Sequence, residues 1–248
     1  IRGLAFTGSW PTGHAIEREL QERPDVLVAL EMGGQNMAIV LDDADEDQAL
    51  EGLLLGGFLS AGQRCTCTSR ALIQKDIASR LIPRLVEAAS KLTMGDPTTD
   101  VFMGPMASVG DRDWVEKLCA AGVEAGAREL LKGEVGIIGA FRGPSIHQID
   151  ADHDSLYTEE EVFGPDLAVT VVDDLAEAIS VMGASEYGLS GSIFTSSEEN
   201  FEKVFRGTRV GCLNWNRSTN RASGAFPFGG LGKSGNFRPA GGDAVRYT

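Results

Sequence analysis

Two apolar runs near the start of the chain are continuous rather than alternating. Val26-Leu27-Val28-Ala29-Leu30 and Ala38-Ile39-Val40-Leu41 each read as a strand buried on both faces, as in a parallel sheet covered by helices. Ahead of them Leu4-Ala5-Phe6-Thr7 reads as a short strand, and Gly8-Ser9-Trp10-Pro11-Thr12-Gly13 turns into a helix with Ala15, Ile16 and Leu20 on one face. Asp42-Asp43-Ala44-Asp45 is an acidic helix entry, and the helix after it carries Leu50, Leu53, Leu54 and Phe58. A strand over 71–74 leads to a helix over 77–92, which Pro83 shortens or kinks and Gly95-Asp96-Pro97 ends. A long helix over 111–131 sets Val115, Leu118, Cys119 and Val123 on one side, making Cys119 a core residue. From Leu167 the order is strand 168–172, helix 175–182, strand 189–195, helix 198–205 and strand 210–215. That alternation predicts an α/β fold with a parallel sheet flanked by helices. The glycine-rich stretch 224–242 is punctuated by Phe226, Phe228, Leu231 and Phe237, which predicts an ordered loop anchored by those side chains.

Composition narrows the function classes. At 248 residues and 42% hydrophobic content the chain buries a substantial core. A net charge of −14 argues against nucleic acid as a partner. No run approaches the roughly 18 apolar residues of a membrane span, and Ile1 to Phe6 lacks the layout of a signal peptide, so no membrane partner is expected. Four cysteines are sparse for this length and point to a reduced, cytoplasmic setting. Cys65-Thr66-Cys67 lacks the gap of a zinc pair and the three histidines fall far from it, so no metal site is expected.

The stretch from Ser60 to Arg70 carries the candidate chemistry. Cys65 stands among small residues with Arg64 and Arg70 as nearby cations, and Gly62 permits a tight approach in which the Cys65 amide faces an oxyanion. This reads as a nucleophile loop; the other reading of a lone thiol is a buried, inert one. Glu31 ends an apolar strand just before Gly33-Gly34, at the carboxyl end where open α/β sheets place ligands. The turn Gly8 to Gly13 opens a helix whose first amides suit an anion, although such glycines also mark ordinary turns. Glu159-Glu160-Glu161 taken alone is a solvated charge run.

Five motifs taken in order, Phe6-Thr7-Gly8-Ser9, Glu31-Met32-Gly33-Gly34, Gly62-Gln63-Arg64-Cys65, Glu160-Glu161-Val162-Phe163-Gly164-Pro165 and Pro227-Phe228-Gly229-Gly230, resemble the aldehyde dehydrogenase superfamily across nearly the whole chain. The resemblance implies a catalytic domain over 34–234, a remnant of the dinucleotide-binding domain over 1–33, and a tail over 235–248 that returns to it. It implies Cys65 as the nucleophile and Glu31 as the base for water. Cofactor contacts fall on Gly8, Ser9, Trp10, Pro11, Thr12, Gly13, Met32, Gly33, Glu161 and Phe163. The cofactor is NAD, and the residues that would tell it from NADP at the 2′ position are largely missing from the sequence. The partner molecule is a small aldehyde, and the full-length protein is expected to be a homo-oligomer.

The family's oxyanion asparagine, the lysine at the adenine ribose and the oligomerisation strand have no counterpart here, so the chain reads as a fragment, inactive or weak when alone. Ala61 to Cys67, Asn214-Trp215-Asn216 and Ser234-Gly235-Asn236-Phe237-Arg238-Pro239 are similar to the subfamily that oxidises succinylated glutamate semialdehyde in arginine breakdown. For such a substrate Arg64, Arg217 and Arg221 are the candidate carboxylate partners, and Phe228 is placed near the aldehyde.

Overall fold

Strand β3 (Asn36–Val40) sends Ala38 and Val40 to one face of a sheet and Met37 and Ile39 to the other, and both sets are buried. This period-two division organises the molecule, because each face is covered by its own helices. The computed structural model describes residues 1–237 and 240–246. Arg238 and Pro239, within the subfamily-like tail, and Tyr247 and Thr248 lie outside them.

In chain order the other elements are β1 (Gly3–Gly8), α1 (Trp10–Glu19) and β2 (Leu27–Met32) before β3, then α2 (Glu46–Phe58), β4 (Thr68–Gln74), α3 (Lys75–Ser90), α4 (Val109–Glu124), β5 (Arg128–Leu131) and β6 (Ser145–Gln148). They continue as α5 (Leu156–Glu159), β7 (Asp166–Val172), α6 (Leu175–Ala184), β8 (Tyr187–Gly188), β9 (Ser190–Phe194), α7 (Glu198–Gly207) and β10 (Cys212–Trp215), ending in the short strands β11 (Pro227–Phe228), β12 (Leu231–Gly232) and β13 (Ala240–Gly241). The main sheet has seven strands in the order β10-β9-β3-β4-β7-β6-β5. Every pairing in it is parallel except β5 on β6. Strands β1 and β2 pair in parallel as a separate small sheet.

Helices α2 and α3 pack on one face through Leu53, Phe58, Ile77, Leu81 and Leu85; α6 and α7 cover the other with Ala178, Met182 and Val204. The helix entries have identifiable caps. Asp45 accepts from the Asp47 and Gln48 amides, Asp174 from Glu177 and Ser197 from Asn200, each satisfying donors that a helix start leaves open. Among the described residues no helix is long and apolar enough to cross a membrane.

Three sequence expectations need correction. Helix α4 stops at Glu124, and residues 128–131 form an edge strand, because Ala125-Gly126 turns the chain back: the amide of Ala127 bonds the Gly122 carbonyl. Pro83 sits inside α3 without ending it. In the glycine-rich tail Phe226 and Phe237 are 68% and 72% exposed and anchor nothing. Ser234 and the main chain do that work instead. The Met32 amide bonds the Ser234 carbonyl at 3.0 Å, Glu31 pairs with Gly235 in an antiparallel bridge, and Asn236 bonds the Leu30 amide and the Val28 carbonyl at 2.8 and 2.6 Å.

Candidate active site

The chain leaves α2 through three successive left-handed residues, Ser60 (φ 59°), Ala61 (φ 52°) and Gly62 (φ 67°). At Gly62 nothing else fits, since a Cβ there would lie 2.0 Å from the Gly164 carbonyl. Ser60 and Ala61 hold a conformation that side chains disfavour, a local cost characteristic of functional loops. The chain then makes a turn over Arg64 to Cys67, closed by the Cys67 amide on the Arg64 carbonyl at 2.9 Å. Three buried side chains fasten that turn. Asn36 donates through Nδ2 to the carbonyls of Cys65 and Cys67, both at 2.8 Å, Thr219 donates to the Thr66 carbonyl at 2.6 Å, and Thr68 meets Thr219 at 2.8 Å.

The two cysteines of this turn differ in surroundings. Cys65 is half-buried and lines a cavity of about 640 Å3. Cys67 is buried, and that burial pushes its thiol up to about 11. Glu31 lines the same cavity from the carboxyl end of β2, held there by the tail segment Ser234 to Asn236. The cavity therefore lies between the carboxyl end of the small sheet and the amino end of β4 in the large one. The strand-end rule locates Glu31 correctly; the thiol comes from the opposite kind of edge.

Glu161 completes a carboxylate pair. Its Oε1 accepts from the Gly34 amide at 2.9 Å, while Oε2 occupies the space a Cβ on Gly33 would take, 1.9 Å away, which makes the first glycine of the pair a condition for the second carboxylate. Phe163, in a left-handed conformation at φ 50°, presents its ring to the cavity. Trp10, Pro11, Met32, Trp114 and Tyr187 add to the wall.

The electrostatics follow from burial. Desolvation raises Glu31 to about 7, and its Oε1 is buried with no hydrogen-bond partner among the described residues. Desolvation likewise raises Glu161 to about 7 despite the Gly34 amide. Cys65 is pushed up by burial and by the charges of Glu161 and Glu31, and pulled down by its own amide and that of Thr66. The expectation that Arg64 and Arg70 lower this thiol is overturned. Arg64 lines the cavity but spends its Nε on Ser60 Oγ at 3.0 Å. Arg70 is buried on Thr170 Oγ1 and the Asp150 carbonyl, both at 2.8 Å.

The cavity gathers Gly8, Ser9, Trp10, Pro11, Met32, Gly33, Glu161, Phe163, Arg64, Glu31 and Cys65 from the predicted set. It leaves out Thr12, which is exposed, and Gly13, which packs on Met32. Arg217 and Arg221 are exposed away from it, and Phe228 is half-buried in the β11 pairing with Ala240. Sequence reasoning missed Trp114, Tyr187, Asn36 and the role of Asn236. Only Trp114 and Asn36 carried a local signal, Trp114 as an indole among the charged residues of 111–117 and Asn36 as an amide directly ahead of the apolar run 37–41.

Cys119, His147 and Asp166 bring ligand atoms within 4.8 Å of one another at a second buried place. The donor set does not fit a metal ion. Asp166 already accepts from His147 Nδ1 at 2.8 Å, from Ser145 and from Tyr157, and the Arg142 guanidinium lies 3.3 Å from the Cys119 sulfur, whose thiol burial pushes far up.

A model of the aldehyde dehydrogenase family matches residues 1–248. N-succinylglutamate 5-semialdehyde dehydrogenases from Chromobacterium violaceum and Cronobacter sakazakii are 38% and 37% identical to the chain, over all of it and 51% of each relative. The chain thus spans about half the length of the curated relatives it matches. Among solved structures, lactaldehyde dehydrogenase from Escherichia coli superposes with a TM-score of 0.92 at 32% identity, covering 100% of this chain and 52% of that one. Glyceraldehyde-3-phosphate dehydrogenase GapN from Methanocaldococcus jannaschii, complexed with NADP, gives 0.90 at 32% with the same coverage. Betaine aldehyde dehydrogenase from Staphylococcus aureus, in complex with NAD+, gives 0.92 at 29%, covering 100% and 50%.

Proposed function

Since the chain belongs to the aldehyde dehydrogenase family, we propose that the whole protein oxidises an acidic semialdehyde to its carboxylic acid with NAD or NADP, N-succinyl-L-glutamate 5-semialdehyde being the first candidate. The observation that carries this reading is the pairing of Cys65 and Glu31 in one cavity, with a Glu31 oxygen left unpartnered. The named relatives at 35–38% identity support the substrate.

The residues fit a nicotinamide nucleotide. Glu161, held by the Gly34 amide, offers a free oxygen to sugar hydroxyls, and Phe163 and Trp10 are ring surfaces facing the cavity. Helix α1 begins at Trp10 with no side chain on its open amides, which suits a phosphate. When bound, the cofactor supplies the hydride acceptor. The chain's own residues do the remainder. Cys65 adds through sulfur to the aldehyde carbon while the Cys65 and Thr66 amides face the oxygen that becomes negative. The acyl group that Cys65 carries after oxidation is released by water, which gives a proton to Glu31, and the carbon–sulfur bond breaks to return the thiolate. A carboxylate at about 7 is poised to accept that proton near neutral pH.

A second reading, a semialdehyde with one carboxylate, is favoured by the charge of the cavity wall, where Glu31, Glu160 and Glu161 face Arg64. Turnover by the whole protein on a panel of ω-semialdehydes separates the two. Preference for the succinylated compound supports the first, and equal use of succinate semialdehyde supports the second. In the same assay Cys65→Ser is expected to abolish oxidation and Cys67→Ser to leave most of it. Equal losses would remove Cys65 from its role.

A further inference from the structure

The turn that carries Cys65 has its closing hydrogen bond on the Cys67 amide, so the amides of its two central residues, Cys65 and Thr66, are the ones free to turn outward. Both pull the Cys65 thiol down, against the burial and the Glu161 and Glu31 charges that push it up. What fixes their direction lies behind the turn. In a trans peptide the C=O and N–H point in opposite directions, and no cis bond occurs among the described residues. The Cys65 carbonyl and the Thr66 N–H belong to one such unit. Asn36, 1% exposed and no part of the cavity wall, holds that carbonyl at 2.8 Å.

The Asn36 amide is itself locked in one orientation. Its Nδ2 also donates to the Cys67 carbonyl at 2.8 Å, while Oδ1 accepts from the Ser190 amide at 2.9 Å. A flipped amide would set an oxygen against two carbonyls and an NH2 against an N–H, so all three contacts enforce the same geometry. We propose that Asn36 is a positioning residue for the nucleophile: by drawing the Cys65 carbonyl inward it aims the Thr66 amide at the sulfur and at the oxyanion that forms beside it. This rests on the reading of Cys65 as the nucleophile. It adds that the anion-stabilising donors of the turn are set from the far side, by the first residue of β3.

Thr219 supplies an internal control. It is as deeply buried as Asn36 and holds the same turn at 2.6 Å, but through the Thr66 carbonyl, whose peptide unit carries the Cys67 amide and leaves the Thr66 N–H alone. General loosening of the turn should follow from losing either side chain, whereas misdirection of the Thr66 amide should follow only from losing Asn36.

The test uses the whole protein and measures iodoacetamide alkylation of Cys65 against pH, with the site assigned by mass spectrometry. Asn36→Ala is expected to move the thiol midpoint upward by about one pH unit, the size of one charge-assisted hydrogen bond, and to lower kcat more than it changes KM. Thr219→Val should leave the midpoint near the parent's. If Asn36→Ala does not fold, Asn36→Ser, which keeps a polar group at the buried start of β3 but withdraws the amide, makes the same measurement. An unmoved midpoint in a folded Asn36 variant, or an equal shift in Thr219→Val, overturns the proposal. If complete alkylation of Cys65 leaves oxidation intact, the nucleophile assignment itself falls, and the proposal with it.

Discussion

The molecule buries two clusters built from the same kinds of group, a cysteine with carboxylates, and treats them in opposite ways. Around Cys65 the carboxylates of Glu31 and Glu161 are raised to about 7, and one Glu31 oxygen has no partner among the described residues. Around Cys119 the carboxylate of Asp166 suffers the larger burial, yet hydrogen bonds and charge from His147, the charge of Arg142 and the Ser145 hydroxyl outweigh it and hold the group at about 2. Arg142 in turn is 2% exposed and bonds Glu116 at 2.8 Å and the Pro165 carbonyl at 3.1 Å. Burial alone therefore does not mark a reactive site. The distinguishing property is whether the buried carboxylate itself is answered by neighbours, as Asp166 is although His147 Nε2 beside it has no hydrogen-bond partner among the described residues, or is left with an unpartnered oxygen on a cavity wall, as Glu31 is.

The sharpest way to test that contrast is to neutralise one carboxylate in each cluster. In the whole protein Glu31→Gln is expected, on the proposed role of Glu31, to remove the proton acceptor for water while leaving the thiol in place. Steady turnover is expected to fall by about 10²–10⁴-fold, with one equivalent of reduced cofactor formed quickly and the slow phase following. Rapid-mixing absorbance at the reduced nicotinamide band checks this. A normal steady rate would take Glu31 out of the chemistry.

Asp166→Asn should do the reverse. It strips the charge that answers His147 and leaves Arg142 with Glu116 as its remaining carboxylate, and is expected to cost about 3–5 kcal/mol of stability, read from denaturant midpoints. Turnover per folded molecule should change little, because Asp166 faces α4 and β6 and forms no part of the cavity around Cys65. A loss of turnover without a loss of stability would erase the distinction between the clusters.

The two clusters were unequally legible in the sequence. Cys65 and Glu31 sit in compact motifs whose glycines are plain in the sequence, although one of the reasons for them is supplied by the fold: Gly62 for its φ and Gly33 for the room that the distant Glu161 needs. The alternating strands and helices from β7 onward were equally plain, since each is long enough to show its period. What escaped detection depends on contacts between distant positions. Asp166 lies in a strand that reads as apolar, and only the register of β6 on β7 brings Ser145 and His147 to it. Strands β5 and β6, four residues each, are too short for periodicity to declare. Arg70 looked like a neighbour of Cys65 because it is near in sequence, but β4 turns it to the opposite side, on to Thr170. Asn36 and Asn236 work through single hydrogen bonds to main chain far along the sequence, which no local pattern records.

A further effect separates the clusters by pH. Asp166 is held at about 2 against an ordinary 3.8, so its contribution to stability is complete above about pH 4 and is lost as pH falls through about 2. Glu31 and Glu161 run the other way. Their folded values near 7 exceed the ordinary 4.5, so the fold favours their protonated forms, and stability should decline as pH rises from about 4.5 through 7. At about 1.4 kcal/mol for each pH unit separating folded from ordinary values, that decline should be about 3–5 kcal/mol for the two groups together, Glu31's share being discounted for the solvent that reaches it. His147, raised above 6.5 because Asp166 outweighs its burial, also loses its contribution with rising pH, which makes the parent's neutral slope a mixture. Variants resolve it. Glu31→Gln combined with Glu161→Gln should flatten the slope between pH 4.5 and 7 while leaving the acid limb untouched, whereas Asp166→Asn should remove the acid limb and the share due to His147. Melting temperature measured across pH 2–8 on the whole protein and both variants is the check. A slope between pH 4.5 and 6.5, below the range in which His147 contributes, that is unchanged by loss of both glutamates would mean that these carboxylates are hydrated in solution, and that the open cluster is less desolvated than its geometry implies.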